Sequence, residues 1–531
     1  MRPCSLLAAT SLLATTLAAQ ANAVAGLDGK LYAIGNPTVW GRRGAAHPNG
    51  ELGFSASNTM CNPGTVTIPW YAVPQTDHPK FGFLVTRLQN NRMVQVSDRS
   101  YCKHAFLSLN TNDGVCLPCN DPGNGSIMGI GCSDVYAAGN NADRNYLGPP
   151  DEINPWLGTW NMVGSYFDRG DPQVTAPANS DGARSPLSML GDTVKNRVTI
   201  KESDIVSGAS YFYQIHLLHE GEAVSARNDN LMTRGVSFAW SGTSWSATNV
   251  SDAITGSVLT QWPGATISVA GNGNDDGRVH VAAKVMGPTN GFWRYEYAIH
   301  NVDNHRGIAS FRIPICPSAR VRNMGFRDID QDALNQWTIT RTGNELTFSA
   351  PGNNPLNWNS LYNFWFDCDA APVASSATLD QARVGPGALN FPVSIETPGN
   401  LPSVWIGAGC GTPTAELEAS GLALIPSPVF RLIVLAPPTT GASVFLSTSA
   451  TATPLGSGCT AFLDAATMVD LGFVITNVGG FATLSLPIPA GLLPSDVTFQ
   501  GATLSPSTGA FLGDFNLTNG ITVRVGQTGC R

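Results

Sequence analysis

Charge is scarce in this chain: Asp, Glu, Lys and Arg make up 13% of its 531 residues, with 30 basic residues against 38 acidic ones. The formal net charge of −8 leaves no basic footprint for nucleic acid. Basic residues are scattered, with Arg42-Arg43 the tightest pair, so binding to a membrane surface through charge is also disfavoured. Runs of Ala, Leu, Glu and Lys at helical spacing are nearly absent, which argues against long helices. Beyond the first residues, no stretch approaches the roughly 20 apolar residues of a membrane-spanning helix. There is no G-x-S-x-G elbow, no phosphate-binding glycine loop and no H-E-x-x-H helix.

What is present begins with "MRPCSLLAATSLLATTLAAQANAVAG". One early Arg2, a short apolar run and the small-x-small triplet Ala21-Asn22-Ala23 predict a signal peptide (1–23) cut after Ala23. Cys4 lies ahead of the apolar run, which argues against a lipoprotein anchor. A secreted or cell-surface location follows, with no transmembrane segment. Of the 11 cysteines, Cys4 leaves with the leader. The rest are disulfide candidates in an oxidising compartment: Cys61, Cys102, Cys116, Cys119, Cys132, Cys316, Cys368, Cys410, Cys459 and Cys530.

Short alternating or β-branched runs bounded by Gly, Pro and Asn recur along the chain. "GTVTIPWYAV", "FGFLVTRL", "RMVQVSD", "NRVTIKES", "SYFYQIHLLH", "GVSFAWSG", "RVHVAAKVM", "FWRYEYAIHNV", "ASFRIPI", "ELTFSA" and "LYNFWFD" read as strands. Their spacing fits antiparallel sandwiches rather than βαβ units. The fold class expected is mainly β, with a large sandwich region (24–397, one sandwich or two). It carries a long, irregular, disulfide-rich insertion at about 110–186. From about Pro398 the composition shifts: His disappears, and "FRLIVLAPP", "ASVFLSTSA", "FATLSLPIPA", "VTFQGATL" and "ITVRVG" describe a small C-terminal β-sandwich (398–531).

Several phrases carry a resemblance: "DRSYCKHAFLSLN", "GCSDVYAAGNNADRNYLGPPDEINP", "YEYAIHNVDNHRG", "GFRDIDQDALNQW" and "NPLNWNSLYNFWFDCDA". Together they resemble a group of secreted proteins of planctomycetes and related bacteria. The terminal "GSGCTAFLD … GGFATLSLPIPAG" resembles a module appended to exported planctomycete proteins. The resemblance implies export and this architecture, and lends no catalytic residues.

Candidate chemistry is sparse. All 8 histidines precede residue 306. His78, His104, His216 and His300 sit at strand positions or strand ends, from which imidazoles can converge on copper, zinc or iron. The plainer reading is that they are hydrogen-bonded core residues. "HLLHE" (His216 to Glu220) is not a zinc motif, because its Glu follows the second His, and residues three apart on a strand face opposite sides. Cys116-x-x-Cys119 with Cys132 and His104 offers a closed zinc site, against which export favours disulfides. Asp328, Asp330 and Asp332 alternate as calcium ligands can, or as a solvated turn does. "NGNDDG" aligns Asn272, Asn274 and Asp276 in the same way without the closing acid of a calcium loop. Asp151-Glu152, Asp168 and Asp171 near Trp156, Trp160, Tyr166 and Phe167 would suit a carbohydrate surface, or simple packing of the insertion.

The segment Gly129 to Pro155 gathers these ambiguities. We read it as a rigid structural loop shaping a recognition surface. Cys132 pins its start and Pro149-Pro150 stiffen it, while Asp134, Asn140, Asn141, Asp143 and Arg144 satisfy backbone groups that no ladder pairs. The leading expectation is a non-catalytic binding or structural protein of the extracellular matrix or envelope. Its partners would be extracellular polysaccharide or cell-surface components. The alternatives are an extracellular metalloenzyme and a carbohydrate-binding protein, with a transition metal or calcium as the only cofactors in view.

Overall fold

The computed structural model describes residues 22–169, 182, 184, 192–272, 277–385 and 387–526. The architecture is mainly β, and among the described residues every strand pairing is antiparallel. Among the described residues no helix is long and apolar enough to cross a membrane.

Alternation within single strands explains how the sheets stack. In Lys80–Gln89 and its partner Ser210–Leu218, Phe81, Phe83, Val85, Tyr213, Ile215 and Leu217 point to one side. There they meet Phe54, Ala56 and Ile200 of another sheet in one core. The first sandwich is therefore a sheet of Lys30–Gly44, Gly50–Cys61 and Val198–Lys201, lying on a second sheet. That second sheet runs from Trp245–Asn249 through Leu231–Trp240, Ser210–Leu218, Lys80–Gln89 and Cys102–His104 to Leu147–Gly148.

The same logic builds the second sandwich. Tyr295, Tyr297 and Ile299 of Phe292–Asn301 enter a core with Phe311, Phe348, Phe364 and Leu379. Its third sheet is Thr266–Ala270, Val279–Thr289, Phe292–Asn301, Ser360–Cys368 and Val321–Arg327. The fourth is Thr338–Thr342, Glu345–Ser349, Ile308–Pro314, Ala371–Gln381 and Asn390–Asn400.

The remaining faces of the second and third sheets pack on each other. Leu84 and Met93 meet Ala282, Ala298 and Leu361, with Val258, Leu259 and Trp262 between them. Strands buried on both faces carry side chains to two cores, which is why "SYFYQIHLL" and "FWRYEYAIHN" read as nearly continuous apolar runs. Gly82 lies in this seam, where a Cβ would stand 3.0 Å from Asn359 Oδ1.

The chain leaves the fourth sheet after Asn400 and joins the C-terminal sandwich at Ser403–Trp405. Leu417, Leu432, Val434, Val444, Ile521 and Val523 form that module's core. Arg320 bridges the junction: its guanidinium lies 3.6 Å over the Trp405 ring. It also pairs with Asp369 at 2.8 Å and Glu418 at 3.1 Å.

Two expectations need correction, and one long strand was not anticipated. "GTVTIPWYAV" yields only the two-residue strand Ile68–Pro69, since Pro69 removes a backbone donor from the run and Pro74 follows directly after it. Conversely, the long strand Lys30–Gly44 escaped notice, because its Gly, Pro and three register shifts break the alternation. Nor do all the cysteines pair. Cys119 bonds Cys132, Cys410 bonds Cys459, and Cys316 is also in a disulfide. Cys61, Cys102, Cys116 and Cys368 are free thiols, Cys102 and Cys368 being enclosed among apolar core side chains. Cys530 lies outside the described residues.

Candidate functional site

The histidines are placed by the stacking. His104 and His78 meet each other, Nδ1 to Nε2 at 2.9 Å, under the Trp160 and Phe167 rings of the insertion. His216 projects from the seam face of the second sheet near Trp358. His300 sits opposite His280 in the third sheet and bonds Ser257 Oγ through Nδ1 at 2.8 Å. All four candidate imidazoles are sealed from solvent. Burial above all holds His78, His104 and His300 well below the usual histidine range. It takes His216 down to about 3 and His280 to about 4, so these rings are neutral at ordinary pH.

The carboxylate whose charge reaches His216, His280 and His300 is committed elsewhere. Asp303 accepts from Arg278 at 2.8 Å and faces Arg227 at 3.8 Å, and the two guanidiniums outweigh its burial and keep it ionised. His219 faces Glu222 at 3.4 Å, and Glu222 also accepts from the Gly29 amide and from Asn230. Among the described residues no group of three or more His, Cys, Asp or Glu is placed to hold a metal ion. The Cys116, Cys119, Cys132 and His104 zinc arrangement does not form: Cys119 and Cys132 are bonded to each other, and His104 is packed among aromatic rings.

Asp328, Asp330 and Asp332 close their own turn. Asp328 accepts from the Gln331 amide and from Asn354 Nδ2, Asp330 from the Asp332 amide and Asn335 Nδ2, and Asp332 from the Leu334 amide. Asn274, Asp276 and Asp171 lie outside the described residues. The carbohydrate reading is corrected at its rings: Trp156, Trp160, Tyr166 and Phe167 are buried. They point inward because the insertion's own ladder is only the two-residue pair of Ile153–Asn154 with Thr159–Trp160, and the segment is held by packing on Cys102, Leu218 and Trp358.

The insertion is tied down residue by residue. Ser133–Tyr136 adds to Gly50–Cys61, next to the disulfide at Cys132. Asp134 accepts from the Leu109 amide at 3.2 Å, and burial pushes its carboxyl up to about 7. Asn141 donates to the Ala56 carbonyl and to Asn58 Oδ1. Asp143 caps the Arg144–Tyr146 turn, and Arg144 donates to the Asp192 carbonyl. Trp358 Nε1 donates to the Pro150 carbonyl at 2.8 Å, while Arg99 links the Trp358 carbonyl to Asp151. The insertion thus bridges both sandwiches.

The seam itself was missed in the sequence. Gln214 Oε1 accepts from the Val258 amide and Gln95 Oε1 from the Leu361 amide, each at 2.8 Å. Asn359 and Asn363 donate to the Phe83 and Met93 carbonyls. Arg92 grips Glu296 through two bonds of 2.7 Å and lies 3.4 Å over the Trp365 ring. One signal pointed here: polar residues such as Gln214 in "FYQIH" and Glu296 in "YEY" interrupt strands that are mostly apolar and aromatic on both faces.

Comparison with family models and with curated protein sequences gives no match. Among solved structures, the major pilin subunit of Bacillus cereus is similar at 9% identity and a TM-score of 0.19, over 62% of this chain and 84% of that one. Escherichia coli alpha-2-macroglobulin activated by porcine elastase is similar at 10% identity and a TM-score of 0.14, over 94% of this chain and 35% of that one. At such scores neither likeness bears on fold or function.

Proposed function

We propose that this chain is an exported, non-catalytic β protein, a rigid structural or binding element of the cell surface or extracellular matrix. The observation that carries this reading is how its polar residues are used. Histidines, glutamines, asparagines and the Arg92–Glu296 pair are buried in the seam or under the insertion, where they join sheets to one another. Disulfides at Cys119–Cys132 and Cys410–Cys459 suit an oxidising compartment. The phrases that resemble exported planctomycete proteins support the same location, and cell-surface components are the partners this location offers.

The test is to express the full chain in a bacterial host, follow its processing and location, and analyse the purified protein for metals. The expected product begins at Val24, lies outside the cytoplasm, and shifts in mobility when reduced. Accumulation of unprocessed chain in the cytosol would overturn the reading. Stoichiometric copper, zinc or iron that disappears in His78→Ala and His104→Ala would replace it with the metalloenzyme alternative.

A further inference from the structure

At the rim of the seam a cleft of about 360 Å³ opens between the second and third sheets. The hairpin joining Lys80–Gln89 to Arg92–Gln95 forms one wall. Its two-residue turn, Asn90-Asn91, has φ of 50° and 61°, the left-handed pair that a tight hairpin requires. Four guanidiniums line the space, those of Arg87, Arg92, Arg294 and Arg327, with Glu296 as the one carboxylate of the wall. Such a concentration of positive charge stands out in a chain of net charge −8.

The arginines are not equally committed. Arg92 and Arg294 are held by Glu296, and Arg294 also by Asp367. Arg87 and Arg327 share a single carboxylate oxygen, Asp204 Oδ1, at 3.3 and 3.0 Å. Arg87 uses only Nη1, which also reaches the Asp204 carbonyl, and Arg327 uses only Nη2. The Nε of each is buried with no hydrogen-bond partner. Burial above all, with Arg87 and Arg92 adding repulsion against the pull of Asp204, lowers the basicity of Arg327. Two adjacent planar forks with unspent donors and a shortage of counter-charge are the elements of an oxyanion receptor.

We propose that this cleft binds the oxyanion group of a small ligand, a phosphate, sulfate or carboxylate, between the forks of Arg87 and Arg327, with Arg92 and Arg294 closing the site. The proposal stands apart from the surface role given above. Titration calorimetry on the full protein with inorganic phosphate, sulfate and acetate, at constant ionic strength in chloride, tests it. Saturable one-site binding of at least one ion is expected, weakened about ten-fold or more in both Arg87→Gln and Arg327→Gln. Preference for phosphate or sulfate assigns a tetrahedral ester or free ion, and preference for acetate assigns a carboxylate. No binding of any of the three below about 10 mM overturns the proposal, as does unchanged affinity in both variants. Should either variant fail to fold, phenylglyoxal labelling of the wild type decides. Protection of Arg87 and Arg327 by the bound ion supports the site, and equal labelling with and without it refutes it.

Discussion

Asp134 and His216 carry opposite consequences of burial. For Asp134 the folded pKa, about 7, lies above the ordinary 3.8. The neutral carboxyl therefore contributes stability that is full below pH 3.8 and is lost as pH rises through about 7. Asp134→Asn keeps the acceptor for the Leu109 amide and removes the titration. Relative to wild type, this variant should gain stability between about pH 4 and pH 7, by up to roughly 1.4 kcal/mol for each pH unit crossed. Urea denaturation across that range checks it, and parallel curves would refute it. For His216 the folded value, about 3, lies below the ordinary 6.5. Its contribution is full above pH 6.5 and is lost as pH falls toward 3. His216→Gln should flatten the acid side of the stability profile by up to about 1.4 kcal/mol per pH unit between those limits.

At the scale of elements, the insertion behaves as structure rather than as a loop. Its amides are capped by Asp134, Asp143 and Asn154, its rings are buried, and the Cys119–Cys132 bond closes a span of 13 residues. Chain-entropy reasoning assigns that cross-link about 3 kcal/mol, and about 4 kcal/mol to Cys410–Cys459 with its span of 49. Cys119→Ser with Cys132→Ser should lower stability by about 2–3 kcal/mol. It should also raise hydrogen exchange selectively in the segment 110–136. Uniform exchange across the chain would mean that the bond does not pin the insertion. Reduction of Cys410–Cys459 should leave the seam untouched and loosen only the C-terminal sandwich, because its partners lie wholly within that module.

For the whole molecule, the seam decides whether two sandwiches unfold together. Glu296 is buried and accepts from both Arg92 and Arg294. Truncating it leaves Arg92 without a carboxylate, while Arg294 keeps Asp367, a loss of about 3 kcal/mol by analogy with broken buried pairs. Calorimetry of Glu296→Ala should show the melting of residues 24–400 shifted as one unit, or split into two transitions as the sandwiches uncouple. An unchanged melting profile would show that the apolar contacts around Leu84, Met93 and Leu361 suffice.

The β class and most strand positions were legible in the residues, because a strand with one buried face must alternate and a tight turn must use Gly, Pro or Asn. The strand expected at "SYFYQIHLLH" forms as Ser210–Leu218, and that at "LYNFWFD" as Ser360–Cys368. Alternation is a local property, however, and it names two faces without saying what covers each. Only the stacking of the second sheet on the third turned His216 and Gln214 into seam residues, and set Glu296 against an arginine more than two hundred positions earlier. In the same way, composition marked Trp160 and Phe167 as available rings, and packing directed them onto His104. Ten cysteines announced cross-linking, yet which thiols meet depends on loop paths through space. Period-two patterning is encoded within a few residues, whereas layer order, ring direction and thiol pairing are fixed by contacts between segments far apart in the chain, and these only the tertiary structure decided.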